Sequence, residues 1–151
     1  MDSELKELYQ QVILDHNKNP RNFRKMEKAN HFAEGYNPLC GDKLNIYVEL
    51  EDGKIKDISF QGSGCAISKA SASLMSSMVK GLPVEEAEKL FEKFQAVITG
   101  RITEEEDIDK LGKLAVFAGV REFPSRVKCA SLAWHTMVAA IKQEEKSVST
   151  E

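Results

Sequence analysis

The sequence predicts an α+β domain in which a small antiparallel three-stranded sheet is packed by helices. Three observations lead there. Period-two alternation of apolar residues is confined to the stretch between Phe32 and Phe60. Helical spacing governs one segment before it and everything from Cys65 onward. Strands grouped first and helices afterwards fit an α+β layout, not alternating βαβ units on a parallel sheet. At 151 residues the chain predicts one domain, 1–151, with 146–151 as a fraying tail.

The opening helix shows Leu5, Leu8, Tyr9, Val12 and Ile13 at helical spacing, with Ser3 as its expected N-cap and Asn19-Pro20 as its stop. The next stretch, 21–37, reads as a polar loop. Lys18, Arg21, Arg24, Lys25 and Lys28 make its surroundings basic, and a solvated surface is the plainest reading of such a run. Within it a short third strand is expected near Phe32 to Tyr36. Lys43 to Glu49 alternates apolar and polar residues, and Leu44, Ile46, Val48 and Leu50 share one strand face. Asp52-Gly53 then predicts a hairpin turn, because both residue types tolerate positive φ. Ile55, Ile58 and Phe60 continue the sheet, which Gly62-Ser63-Gly64 ends.

Beyond Cys65 the period changes. A small-residue helix from Ala66 to Lys80 is stopped by Gly81 and Pro83. A charged helix over 84–98 turns Val84, Ala87, Leu90, Phe91 and Phe94 inward. Thr103 with Glu106 three residues on predicts a capped third helix. An irregular connector over 119–128 holds Pro124. The last helix is expected from about Cys129 to Lys146, with Leu132, Ala133, Met137, Val138 and Ile141 on its buried face.

Composition narrows the function. The net charge of −3 argues against nonspecific nucleic-acid binding as the main task. The longest apolar run, Leu114 to Val120, is far too short to span a bilayer. The acidic start, Met1-Asp2-Ser3-Glu4, does not read as a secretion signal, so a cytoplasmic location is expected. The cysteines number three, an odd count that a disulfide framework would leave unbalanced. In a reducing compartment thiols more often stay free, bind metal or do chemistry.

Each cysteine sits at a predicted element boundary. Cys40 lies in the turn Asn37-Pro38-Leu39-Cys40-Gly41-Asp42, Cys65 follows Gly62-Ser63-Gly64, and Cys129 follows Arg126-Val127-Lys128. Cys65 and Cys129 are expected at helix N-termini, where the dipole favours a thiolate. Asp42, two residues beyond Cys40, falls on the same side of a strand. Three thiolates and one carboxylate form a four-ligand set suited to Zn²⁺, and sulfur donors also suit iron–sulfur chemistry. On chemistry alone a shared site and scattered free thiols stand about even. His16, His31 and His135 read as surface, loop and helix-edge residues, and Met75 with Met78 as core packing.

Three motifs taken together resemble the U-type iron–sulfur cluster assembly family: Pro38-Leu39-Cys40-Gly41-Asp42, Gly62-Ser63-Gly64-Cys65-Ala66-Ile67-Ser68 and Arg126-Val127-Lys128-Cys129. The opening is similar too, with Leu8-Tyr9, Ile13-Leu14-Asp15-His16 and Asn19-Pro20-Arg21-Asn22. The likeness runs from about Leu5 to Lys142. The family includes the IscU scaffolds, the amino-terminal part of NifU and the SufU proteins, and the resemblance implies an IscU/SufE-like fold. Where IscU scaffolds carry histidine before the third cysteine, this chain has Lys128. Where they carry a chaperone-recognition segment, it has Phe123-Pro124-Ser125-Arg126-Val127. The stretch between Cys65 and Cys129 is also long, and all three features resemble the SufU subtype.

The resemblance implies Cys40, Asp42, Cys65 and Cys129 as metal ligands and Zn²⁺ as the cofactor. It also implies a pyridoxal-phosphate-dependent cysteine desulfurase as sulfur donor, with downstream iron–sulfur assembly or acceptor proteins and neither nucleic acid nor membrane as partners. The expected function is that of a zinc-dependent sulfur acceptor, or sulfurtransferase, working with the desulfurase and not as a stand-alone enzyme. Cys40, on a glycine-flanked loop, is the expected catalytic nucleophile, its thiolate attacking the desulfurase persulfide. The alternative is a scaffold on which a transient [2Fe–2S] cluster is built and handed on. A purely structural zinc ranks last, because such sites more often lack a carboxylate.

Overall fold

The computed structural model describes residues 3–142 and 147–149. Helix α1 (Ser3–Lys18) leads into strands β1 (His31–Asn37), β2 (Asp42–Glu51) and β3 (Lys54–Ser63). Helices α2 (Ala66–Val79), α3 (Val84–Ile98) and α4 (Glu105–Asp109) follow, then a 3₁₀ helix (Gly112–Glu122), helix α5 (Pro124–Lys142) and a short strand β4 (Ser147–Ser149).

The expected antiparallel trio is present: β1 pairs with β2, and β2 with β3. The sheet gains one strand beyond it, since β4 pairs parallel to β1 and the spatial order is β3-β2-β1-β4. The tail expected to fray therefore carries a strand at 147–149, while 146, 150 and 151 lie outside the described residues.

Alternation places Leu44, Ile46 and Val48 on the inner face of β2. On β3 the buried residues Ile55, Ile58 and Phe60 break strict alternation. A register shift beside Glu49 and Leu50 resolves this, since Leu50 pairs with Ile55 while Glu49 pairs with Asp57. The extra residue, Lys56, turns outward to Glu51 at 2.9 Å, and Ile55 regains the core face. The hairpin turn has φ of 54° at Asp52 and 74° at Gly53, the paired positive values of a two-residue type I′ turn.

Helix α5 covers the inner face of β1 and β2, with α2 beside it against β3 and α1 against α2. Close approach at β1 depends on Gly35, where a Cβ would run into Thr136 Oγ1 of α5. The core centres on Trp134, Phe60, Phe94 and Phe117. Trp134 stacks on Phe94 at 4.8 Å, and its indole N–H donates to Ser71 Oγ.

In α1, α4 and the 3₁₀ helix the structure departs from expectation. The inward stripe of α1 is the buried His16 with the partly buried Tyr9, Val12 and Ile13, whereas Leu8 is 54% exposed; the side chain of Leu5 lies outside the described residues. The helix expected from Thr103 is the short α4, with Glu104 at its N-cap and no side-chain cap bond. The apolar run Leu114 to Val120 then winds as a 3₁₀ helix, with all of its residues but Gly119 buried. Among the described residues no helix is long and apolar enough to cross a membrane.

Candidate metal centre

The centre begins at the turn between β1 and β2. Asn37 and Asp42 face each other as the last paired rung, and Pro38, Leu39, Cys40 and Gly41 cross between them. Gly41 takes φ +73°, and its N–H donates to the Asn37 carbonyl at 2.8 Å, which closes the turn. Cys40 is thus held on a turn outside both layers, and its side chain is exposed.

Cys65 arrives from the end of β3. Gly64 lies so close to Asp42 that a Cβ there would sit 2.6 Å from Asp42 Oδ1. That approach lets the Cys65 backbone N–H donate to Oδ1 at 2.8 Å. Cys65 is the N-cap of α2, its extended backbone turning Sγ to accept the Ser68 N–H at 3.4 Å. The sequence-predicted helix-start setting is therefore present at Cys65.

Cys129 differs. Helix α5 begins at Pro124, which needs no N–H partner in a first turn, so Cys129 falls in the second turn and is 2% exposed. The expectation that it opens the helix is corrected. Its thiol is pushed far up by burial, and further by Cys40, Cys65 and Asp42 around it. Away from the helix terminus, the dipole gives little help to a thiolate there.

The four side chains nonetheless meet at one end of the sheet. The Cys129 thiol donates to Cys40 Sγ at 3.3 Å, and ligand atoms of Cys40, Asp42 and Cys129 all lie within 4.8 Å of one another. Cys65 Sγ stands just outside that group, 4.0 Å from Asp42 Oδ2. Thiolates bound to one tetrahedral zinc at about 2.3 Å would be roughly 3.8 Å apart, so the donors need only a small adjustment. Asp42 is fully buried, yet among the described residues it has no cationic side chain as partner. Among the described residues its donors are the Cys65 N–H, the Asn37 amide and, at 4.0 Å, the Cys65 thiol, all of them neutral. A buried carboxylate with neutral donors and three adjoining thiols suits a bound cation.

Sequence reasoning passed over Asn37. It is fully buried, with Nδ2 3.3 Å from Asp42 Oδ2 and 3.5 Å from Cys129 Sγ. The available signal was its phase: Ala33, Gly35 and Asn37 form the buried face of β1, and a polar residue at that position demands partners.

The remaining candidates lie apart from the centre. His16, read as a surface residue, is 6% exposed, with Nδ1 2.7 Å from Ser73 Oγ. Its place on the inward stripe of α1 explains the difference. His31, read as a loop residue, begins β1 with Nδ1 2.9 Å from the Ala140 carbonyl. His135 meets Phe91 edge-on at 4.9 Å between ring centres. Met75 is buried in the core and Met78 packs against it. In the basic loop Arg21 pairs with Asp15 and Arg24 with Asp57, at 2.8 and 2.7 Å.

Comparison with known proteins places the chain in a family. The NifU-like N-terminal domain model matches residues 8–130. The zinc-dependent sulfurtransferase SufU of Bacillus subtilis is 37% identical, over 95% of this chain and 96% of its own. The iron–sulfur cluster assembly scaffold protein IscU of Streptococcus pyogenes is 38% identical, over 93% of this chain and 87% of its own. A crystal structure from Fervidobacterium islandicum, described as a candidate assembly scaffold for the SUF system, superposes with a TM-score of 0.81. It is 33% identical, covering 93% of this chain and 99% of that one. The chain belongs to the NifU-like N-terminal domain family, the U-type proteins of iron–sulfur cluster assembly. Within that class its likeness extends to both SufU and IscU proteins across nearly its whole length.

Proposed function

We propose that this chain serves iron–sulfur cluster assembly as a sulfur acceptor, taking sulfur from a cysteine desulfurase onto Cys40. Cys40, Asp42, Cys65 and Cys129 would hold Zn²⁺. When bound, zinc would keep these thiols deprotonated at neutral pH and shield them from random oxidation.

The observation that carries the reading is the unequal placement of the three thiols. Cys129 is fixed in the second turn of α5 and Cys65 caps α2, whereas Cys40 is exposed on a four-residue turn. An attacking sulfur must reach outward, and Cys40 can do so without unwinding a helix. Its thiolate attacks the outer sulfur of the partner's cysteine persulfide. A new S–S bond forms on Cys40, the old one breaks, and the partner's cysteine leaves as a thiolate. The exchange needs no further oxidant.

Incubation with desulfurase and cysteine, followed by peptide mass spectrometry, tests this. An added sulfur should map to the Cys40 peptide and vanish in Cys40→Ser. Cys65→Ser and Cys129→Ser should chiefly lose metal. Sulfur found on Cys129 that persists in Cys40→Ser would refute the choice of nucleophile.

The likeness to an IscU scaffold favours a second reading, in which the same four side chains carry a [2Fe–2S] cluster as cargo. Elemental analysis and a visible spectrum of the protein purified without added iron separate the two. About one colourless zinc per chain supports sulfur transfer, and a brown protein with sulfide-to-iron bands supports the scaffold.

A further inference from the structure

Asn37 links three of the four candidate ligands while contributing none itself. Its Nδ2 lies 3.3 Å from Asp42 Oδ2 and 3.5 Å from Cys129 Sγ. Its Oδ1 accepts the Leu39 N–H at 3.3 Å, and its carbonyl accepts the Gly41 N–H at 2.8 Å. These last two bonds bracket Cys40 on both sides. The residue is fully buried, so water cannot substitute for its amide.

The two oxygens of Asp42 are consequently unequal. Oδ1 is taken by the Cys65 backbone N–H at 2.8 Å. Oδ2 lies 4.0 Å from Cys65 Sγ, and Asn37 approaches it from the β1 side. A carboxylate held this way offers one oxygen to a cation and cannot swing to offer both. Partners of this kind fix ligand orientation, and their loss typically weakens metal binding by about ten- to a hundred-fold.

We propose that Asn37 is a positioning residue that holds Asp42 to single-oxygen ligation and sets the Cys40 turn against Cys129. This rests on the metal site argued above. It assigns to β1, which supplies none of the candidate ligands, control over how tightly the site closes.

The test compares wild type with Asn37→Leu, which keeps the approximate size but removes the amide, and with Asn37→Ala. Zinc affinity is measured by competition with a chromophoric chelator, and ligand geometry from the visible bands of the Co²⁺-loaded protein. Both variants should bind zinc about ten- to a hundred-fold more weakly and show altered Co²⁺ bands. Melting of the metal-free proteins reports on the fold. A third measurement needs no metal: diamide oxidation of the metal-free chain should join Cys40 to Cys129 several-fold more slowly in the variants.

Folded variants with wild-type affinity, unchanged Co²⁺ bands and unchanged oxidation rate would overturn the proposal. So would failure of both variants to fold, since Asn37 would then be a folding residue. If wild type itself takes up neither zinc nor cobalt, the metal reading fails alone, and the oxidation rates still decide whether Asn37 sets the thiols.

Discussion

Single side chains in this protein are chosen as much for their partners as for their burial. Ser73 of α2 illustrates this: its hydroxyl accepts the Arg21 N–H at 2.8 Å and lies 2.7 Å from His16 Nδ1. With one lone pair engaged, its own hydrogen is free to satisfy a neutral imidazole. Burial lowers the pKa of His16, and Arg21 and Lys113 lower it further, against the opposing pull of Asp15. The folded state then binds fewer protons than the unfolded chain. The resulting stability is fully present above the unfolded histidine value, about 6.5, and is lost as pH falls toward and through the lowered folded value. Burial lowers His135 as well, with the same sign. Melting temperature should therefore fall between about pH 7.5 and 5.5, and His16→Gln should flatten that slope, with His135→Gln as the companion. An unchanged slope in both variants would show that neither histidine is held neutral. The sequence did not reveal this role for His16, because a histidine in the last turn of a helix reads equally well as a charge facing the dipole.

Strands and helices were legible wherever apolar period and turn chemistry agreed, as in β2 with Leu44, Ile46 and Val48, or the Asp52-Gly53 hairpin. They were illegible where a backbone event without a side-chain signature intervened. Nothing in the residues 119–128 announces that Pro124 starts α5, although a proline suits a first turn as well as it suits a connector. That ambiguity moved Cys129 from a helix start to a helix interior. Layer spacing was hidden for a similar reason, since the absence of a side chain at Gly35 carries no period. Yet β1 and α5 touch there. Gly35→Ala would drive a methyl into Thr136 Oγ1 and bring it 3.1 Å from Leu132 Cδ1. The substitution should destabilise the protein by about 1–3 kcal/mol through overpacking. Urea unfolding checks it, and because Asn37 ends the same strand, metal affinity should weaken too. Wild-type stability in Gly35→Ala would mean that α5 can retreat from the sheet without cost.

At the scale of the molecule, the fold and the candidate metal centre are joined but separable. The hydrophobic core cluster extends from Ala33 to Ile141, with α1 only packing partly buried residues against it, and includes none of the four proposed ligands. The centre occupies one end of the sheet, where the β1–β2 turn, the start of α2 and the second turn of α5 meet. A domain of this size can bury enough apolar surface to fold unaided, unlike a small zinc finger. The metal-free chain should therefore keep its fold but lose the binding contribution. Free zinc at a hundred to a thousand times its dissociation constant would add about 2.7–4.1 kcal/mol. For a chain of about 150 residues each kcal/mol moves the melting temperature by about 2–4 °C, so chelation should lower it by roughly 5–16 °C. Scanning calorimetry of matched samples with and without chelator measures this. Part of that penalty reflects Asp42, which stays buried beside neutral donors once no cation answers it. Asp42→Asn should accordingly melt above metal-free wild type, yet gain little when zinc is restored. A broad, non-cooperative melt of the metal-free chain would show instead that the metal organises the fold.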